Sequence, residues 1–124
     1  MKDEDFKKRI IGRAYRYSLN IIKFIDGLDK KDFTVQIIAR QLLRSATSIG
    51  ANIIEAQAAS SKRDFLNFLH YALKSANESK FWLGLLRDSG KAEKNTVFPL
   101  LQETTELASI LGSSILTIKG RKKL

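Results

Sequence analysis

Hydrophobic residues recur along most of this chain at alternating steps of three and four, which is the spacing of an apolar stripe on an α-helix. No segment alternates with the period of two that a half-buried strand requires. The pattern therefore predicts an all-α protein with four helices. The members of the four stripes are Ile10, Ala14, Tyr17, Ile21, Phe24 and Leu28; Val35, Ile38, Leu42, Ala46, Ile49, Ile53 and Ala56; Phe65, Leu69, Ala72, Ala76, Ser79, Leu83 and Leu86; and Val97, Leu101, Thr104, Ala108, Leu111, Ile115 and Ile118.

Polar residues that can cap a helix lie between the stripes. Asp32 is expected to cap the second helix, Ser61 the third, and Asn95 or Thr96 the fourth, because their side chains accept hydrogen bonds from free N–H groups of a first turn. We predict a single domain over residues 1–124, an antiparallel up-down four-helix bundle with short loops. The predicted helices span residues 3–27, 33–59, 62–89 and 96–119.

Three residues that favour turns need an explanation in such a bundle. Gly50 lies inside the second helix, where glycine costs about 1 kcal/mol relative to alanine, so we expect either a bend or the close approach of another backbone there. Gly90 suits a left-handed residue that ends the third helix. Pro99 falls in the first turn of the predicted fourth helix, where its missing N–H is harmless.

The first three helices carry more large apolar residues than one stripe per helix needs. A wide core face is one explanation, and a surface that binds a partner is the other. Because the surplus occurs on several helices and includes aromatic residues, we predict a homo-oligomer. The surplus residues are Ile11, Ile22 and Ile25; Ile37, Leu43 and Ile54; and Phe68, Tyr71, Trp82 and Leu85.

Positive charge dominates the chain, with 22 Lys and Arg against 13 Asp and Glu and a net charge of +9. A surface of this kind attracts polyanions, so we predict RNA or DNA as a partner, without sequence-specific reading because no aromatic residues are interleaved with the cations. We expect Arg13→Ala to leave thermal stability nearly unchanged. Lys119, Arg121, Lys122 and Lys123 form a cationic cluster at the C-terminal end. For this cluster, a favourable interaction with the dipole of the last helix is an equal alternative to nucleic-acid binding. The candidate nucleic-acid-binding residues are Arg9, Arg13, Arg16 and Lys23, which with Asn20 form a stripe on the first helix, and Lys119, Arg121, Lys122 and Lys123.

Composition excludes most enzyme chemistry. The chain has no cysteine, and His70 is its single histidine, so thiol catalysis, Cys-ligated metals and multi-histidine metal sites are excluded. No glycine-rich phosphate loop occurs. We expect no enzymatic activity, no cofactor and no metal. The acidic start of the given sequence leads us to expect no secretory signal, and no apolar run is long enough to cross a membrane, so we expect a cytoplasmic protein with no membrane partner.

Asn52 and Glu55 lie one turn apart among apolar and small residues of the second helix. Because a buried carboxylate needs a partner, we predict a structural polar network of Arg44, Asn52, Glu55 and Glu78 that fixes the register of the helices. Two alternatives remain, a contact with a ligand or RNA, and an enzyme that uses Glu55 and Glu78 as paired carboxylates.

Residues 41–56, QLLRSATSIGANIIEA, and residues 61–78, SKRDFLNFLHYALKSANE, carry a resemblance to a known family. They resemble the bacterial four-helix-bundle family called 23S rRNA-intervening-sequence proteins, which is related to accessory proteins of diversity-generating retroelements. Members often have proline where Gly50 stands and glycine where Ala56 stands. The resemblance implies a homopentamer with a basic surface and, in the retroelement relatives, a nucleic-acid partner.

These observations together predict a non-enzymatic, homo-oligomeric bundle that presents a basic surface to RNA or another nucleic acid as an accessory protein. The alternative is an oligomeric scaffold for protein partners, in which the positive charge only maintains solubility. Binding to RNA distinguishes the two.

Overall fold

The computed structural model describes residues 2–122, and this part of the chain contains four α-helices and no strand: α1 (Lys2–Asp26), α2 (Phe33–Gln57), α3 (Lys62–Asp88) and α4 (Lys94–Lys122). Each helix packs against the next, and α4 returns to pack against α1, whereas the backbones of the diagonal pairs stay apart. The α1–α4 contact is the least extensive of the four. The predicted all-α, four-helix bundle is therefore confirmed.

The predicted caps of α2 and α3 are confirmed. The Val35 N–H donates to Oδ1 of Asp32 at 3.1 Å, and the Asp64 N–H donates to Oγ of Ser61 at 3.1 Å. Gly90 ends α3 with a φ of +76°, and the Lys91 N–H reaches back to the carbonyl oxygen of Leu86 at 3.0 Å. These side-chain and backbone bonds satisfy groups that the helices leave free at their ends.

The prediction for the start of α4 is wrong. The Val97 N–H donates to the carbonyl oxygen of Glu93 at 3.0 Å, so the helix begins at Lys94 and takes both Asn95 and Thr96 into its first turn. Pro99 then lies in the second turn and removes the N–H that would bond to the carbonyl of Asn95. Because both residues are exposed, water can satisfy that carbonyl.

The core follows the predicted stripes closely. Most stripe residues are buried, but Leu28, Ile38, Phe65, Leu101 and Ile118 are only partly buried and pack against the core from its edges. A strict alternation of threes and fours drifts around a helix of 3.6 residues per turn, so other residues complete the core face. The buried apolar residues outside the stripes include Ala39, Leu66, Leu100 and Leu107.

Gly50 marks the close approach of α1 and α2. A methyl group added at Gly50 would lie 3.4 Å from Cβ of Ala14 and 3.8 Å from its backbone carbonyl. Two small residues thus allow the helices to come together, and α2 continues without interruption from Phe33 to Gln57. Of the two explanations for this glycine, the structure supports close backbone approach.

Gly50→Ala is expected to raise the free energy of unfolding by up to about 1 kcal/mol, because alanine favours the helix and a contact at 3.4 Å is within the ordinary range. Gly50→Leu is the contrasting variant and should lower it by about 1 to 3 kcal/mol, since a branched side chain must push α1 away. Urea unfolding followed by circular dichroism measures both values. Equal losses in the two variants would contradict this account of the contact.

Candidate nucleic-acid interface

Three of the predicted cations form an exposed line along α1. Arg9, Arg16 and Lys23 follow one another at intervals of seven residues, so neighbouring members lie about 10 Å apart on nearly the same side of the helix. Their side chains are exposed, as is that of Asn20 between the last two. We call Arg9, Arg16 and Lys23 the α1 cation line.

Arg13 differs from the other cations because two carboxylates on α4 bind it. Its Nε donates to Oε2 of Glu103 at 2.9 Å and its Nη2 to Oε1 of the same residue at 2.6 Å. The same Nη2 donates to Oε1 of Glu106 at 2.8 Å. These hydrogen bonds raise the pKa of Arg13 above its usual value, and two negative charges compensate the guanidinium. Arg13 therefore joins α1 to α4, and the expectation that its removal costs no stability is withdrawn.

The C-terminal cluster lies at the same end of the bundle as the start of α1. Lys119 is exposed on α4, and Arg121 and Lys122 belong to the last turn of that helix. The predicted residue Lys123 lies outside the described residues. Up-down topology thus brings the end of α4 near the N-terminal half of α1, where the α1 cation line begins.

The predicted polar network of Arg44, Asn52, Glu55 and Glu78 does not form. Arg44 reaches only Gln41, at 3.4 Å, and the Glu78 carboxylate accepts a hydrogen bond from Nε1 of Trp82 at 3.0 Å. Glu55 is exposed on α2 and needs no partner, because water solvates it. No hydrogen bond joins Glu55 to Glu78, which is held instead by Trp82 of its own helix.

Asn52 instead belongs to a chain of hydroxyl contacts between α2 and α3. Its Nδ2 donates to the carbonyl oxygen and to Oγ of Ser48, each at 2.9 Å. Ser75 on α3 donates to Ser48 at 3.1 Å. Deeper in the same interface, Ser79 Oγ lies 2.9 Å from Ser45 Oγ, and both residues are buried. Small polar side chains, among them the predicted Asn52, thus lie where the network with Arg44, Glu55 and Glu78 was expected.

A second pair of buried hydroxyls joins α1 to α4. Tyr17 and Thr104 are almost fully buried, with their oxygens 2.6 Å apart. The Thr104 hydroxyl donates its proton to the carbonyl oxygen of Leu100, so Tyr17 is the donor in the contact with Thr104. Burial raises the pKa of Tyr17 to about 12. Tyr17, Ser45, Ser79 and Thr104 form a central hydroxyl belt with one member on each helix.

Replacing Tyr17 with Phe should lower the free energy of unfolding near neutral pH by about 1 to 2 kcal/mol, because a buried hydrogen bond is lost. A raised pKa means that the folded state favours the protonated phenol, so this contribution is present below pH 10 and declines as the pH rises to about 12. Chemical unfolding at several pH values measures the difference in free energy of unfolding between wild type and Tyr17→Phe, which is the contribution of the Tyr17 hydroxyl. A difference that grows above pH 10 would contradict the assignment.

Surplus apolar residues fall into two groups. Ile11, Ile25, Phe68 and Trp82 are partly buried and pack against the core, which is the wide-core explanation. The other predicted surplus residues are exposed: Ile22 at 40%, Ile37 at 47%, Leu43 at 38%, Ile54 at 52%, Tyr71 at 52% and Leu85 at 38%. Further exposed apolar residues that the sequence analysis did not single out include Phe6, Tyr15, Leu19, Phe33, Phe81, Phe98 and Leu116.

Two cavities open along the loosely packed contact between α1 and α4. The larger, of about 660 Å³, lies between the N-terminal part of α1 and the C-terminal half of α4, and the smaller, of about 380 Å³, lies between the opposite ends of these helices. Glu103, which binds Arg13, lines the smaller cavity. Neither Glu55 nor Glu78 lines either cavity.

Residues 2–122 contain neither a cluster of candidate metal ligands nor a helix suited to span a membrane. No group of three or more His, Asp or Glu side chains there is arranged to hold a metal ion. Over the same residues, each helix is too short or too polar to cross a membrane.

Comparisons with known proteins agree with the resemblance seen in residues 41–78. The family model described as 23S rRNA-intervening sequence protein matches residues 7–113. Among solved structures, the chain is similar to a protein of unknown function from the S23 ribosomal protein family of Bacteroides thetaiotaomicron, with 35% sequence identity and a TM-score of 0.80 over 86% of this chain and 97% of that one. Comparison with curated proteins gives no match. Because the family match includes all of α2 and α3 and most of α1 and α4, this chain belongs to the 23S rRNA-intervening sequence protein family.

Proposed function

We propose that this chain is a non-enzymatic protein that assembles with copies of itself and binds RNA through the α1 cation line. The observation that carries the proposal is the regular exposed spacing of Arg9, Arg16 and Lys23 on one rigid helix. Cations held in this way can follow a phosphate backbone without reading bases. A net charge of +9 and the rRNA in the family's name support RNA as the polyanion.

Assembly is supported by exposed apolar residues on adjacent sides of α1 and α2. The contact between Ala14 and Gly50 fixes the register of this antiparallel pair. Counting away from it, Ile22 on α1 lies at about the level of Leu43 on α2. Together with neighbouring exposed residues they form a two-helix apolar surface of the kind that binds protein partners. We call it the α1–α2 apolar face, and its residues are Tyr15, Leu19, Ile22, Leu43 and Ile54.

Light scattering tests the assembly. Wild type should form a particle several times the chain mass of 14.0 kDa, and the family resemblance implies five copies. The double variant Ile22→Lys with Leu43→Lys should be a folded monomer, because two charges cannot be buried without partners. Phe98→Lys with Leu116→Lys is the matched control, since these exposed residues lie on α4. A wild-type monomer, or equal dissociation of both double variants, would refute the proposed face.

RNA binding is tested by salt titration of the affinity for a single-stranded RNA. Reversing the α1 cation line with Arg9→Glu, Arg16→Glu and Lys23→Glu should abolish binding in about 150 mM salt, where phosphate contacts dominate non-specific affinity. The slope of log affinity against log salt should become shallower by about 0.7 for each phosphate that the variant no longer neutralises.

The matched control reverses three exposed cations on α2 and α3, Arg40→Glu, Arg44→Glu and Lys74→Glu. It changes the net charge by the same amount, so it should weaken RNA binding much less. Equal losses in the two triple variants would show that net charge alone attracts the RNA. Undetectable binding by wild type in about 150 mM salt would remove the RNA role.

The second candidate is an oligomeric scaffold for protein partners with no nucleic-acid role. The compensation of Arg13 by Glu103 and Glu106 favours it, because this pairing removes one cation from the predicted stripe and places two carboxylates beside it. Under this alternative, the protein still assembles, and reversing the charges of the α1 cation line does not change its affinity for RNA.

A further inference from the structure

The larger of the two α1–α4 cavities has the dimensions of a small-molecule site. Its volume of about 660 Å³ lies within the range of roughly 300 to 1,000 Å³ that ligand pockets occupy. All four helices contribute to it, with Ile10 from α1, Ile53 from α2, Leu69 from α3 and Leu111 from α4. These four side chains are buried core residues, so the floor of the cavity is the apolar interior of the bundle.

The α4 side of the cavity combines aliphatic residues with residues that carry hydroxyl groups. These residues belong to the C-terminal half of α4, which lies along the least extensive helix contact of the bundle. Those with hydroxyl groups are Ser109, Ser113, Ser114 and Thr117. The same half of α4 also supplies Ile110, Leu111 and Ile118, which continue the apolar floor on this helix. The hydroxyls thus give an apolar cavity a polar rim.

The middle of the α1–α4 contact keeps this opening in place. Arg13 holds Glu103 and Glu106 across it, and Tyr17 is bonded to Thr104 in the core. These bonds join the two helices directly beside the cavity and favour the register in which it is open.

Charge identifies the class of ligand. Lys7 is the one charged residue among the described residues that line the cavity, and it is half-buried. A cation and hydroxyl donors beside an apolar floor are complementary to a molecule with an anionic head and a hydrocarbon body. We propose that the α1–α4 cavity binds a long-chain carboxylate of the fatty-acid class, with its chain on the apolar floor and its carboxylate near Lys7 and the α4 hydroxyls. This site is independent of the α1 cation line.

Titration of the purified full chain with the fluorescent fatty acid cis-parinaric acid tests the proposal, followed by displacement with myristate and with the uncharged alcohol of the same chain length. We expect saturable binding that myristate displaces and the alcohol displaces less well. Lys7→Ala should weaken affinity by about three- to fivefold, as for a partly exposed ion pair. Lys8→Ala, the exposed neighbour that does not line the cavity, should leave affinity unchanged.

Filling the cavity provides the second arm. Ser114→Phe should weaken binding by at least about tenfold, because the ring occupies the space of the ligand. Thr105→Phe is the control on an exposed position of α4 outside the cavity. Circular dichroism and light scattering test whether both variants fold and assemble as wild type does. If Ser114→Phe does not fold, the comparison of Lys7→Ala with Lys8→Ala decides the question.

Three results would overturn the proposal. No saturable binding of cis-parinaric acid would remove the site. Displacement by the alcohol as effective as that by myristate would show that no anionic head is recognised. A Ser114→Phe variant with altered assembly mass and unchanged probe binding would show that the cavity lies between copies of the chain.

Discussion

Ile49→Asp is expected to unfold the protein under conditions in which wild type is fully folded. Ile49 is 0% exposed in the core contributed by α2. A carboxylate there loses its hydration without gaining a partner, which costs at least about 3 to 5 kcal/mol. That loss is comparable with the entire stability of a small domain, about 5 to 15 kcal/mol. Circular dichroism in the absence and presence of urea measures the loss of helix.

Ile54→Asp is the matched control, because it places the same carboxylate five residues along the same helix. Ile54 is 52% exposed, so water can solvate the new charge and the helical fold should persist. At a concentration where wild type is assembled, this variant should instead have a lower mass by light scattering, since Ile54 belongs to the α1–α2 apolar face. Equal unfolding of both variants would show that the buried and exposed sides of α2 are assigned wrongly.

Arg13→Glu is expected to have the second largest effect, lowering the free energy of unfolding by about 2 to 4 kcal/mol. It replaces a guanidinium bonded to two carboxylates with a third carboxylate, and the side chains of Arg13 and Glu103 are only 31% and 30% exposed. The repulsion acts where α1 and α4 have their least extensive contact, so these helices should separate first. Urea unfolding gives the change, and hydrogen exchange of amides on α1 and α4 locates it.

Arg16→Glu tests whether this loss depends on the specific contact. It makes the same charge change one turn along α1 at an exposed position and should alter stability by no more than about 0.5 kcal/mol. A double-mutant cycle of Arg13→Ala with Glu103→Ala should give a coupling energy of about 1 to 2 kcal/mol, as for a well-oriented and partly buried arginine–carboxylate pair. A coupling near zero would contradict the role of Arg13 in joining α1 to α4.

Local signals were sufficient to predict most of the fold. The caps at Asp32 and Ser61 depend on side chains that bond to N–H groups three residues away, so a short sequence window contains both partners. The start of α4 was predicted wrongly, because Asn95 and Thr96 are of residue types that cap helices and lie just before the apolar stripe. The backbone carbonyl of Glu93 accepts the first helical bond there, and no residue type signals such a contact.

The candidate interface was predicted less completely than the fold. The spacing of Arg9, Arg16 and Lys23 places them on one side of a helix, and all three are exposed. Arg13 also fits the spacing of the cationic stripe on the first helix. Its carboxylate partners belong to α4, about ninety residues away in the chain, so the sequence near Arg13 does not reveal them. The central hydroxyl belt had a weak signal, since Ser79 and Thr104 occupy positions in the apolar stripes. The sequence favoured charged residues as the members of a polar network between helices. One of them, Glu55, is exposed, so water solvates it and it needs no partner.

The amino-acid sequence by itself determined which residues form helices, which side of each helix is apolar and that the chain is basic, because helix periodicity and charge depend on residues near one another. Only the tertiary structure decided how those sides are used. It paired Arg13 with carboxylates on α4, brought α1 against Gly50 and left Ile22, Leu43 and Ile54 exposed. It also left a cavity between α1 and α4. These features depend on the distances between helices, which are set only when all four helices pack together. That packing also decides whether a given apolar residue is buried or left at the surface.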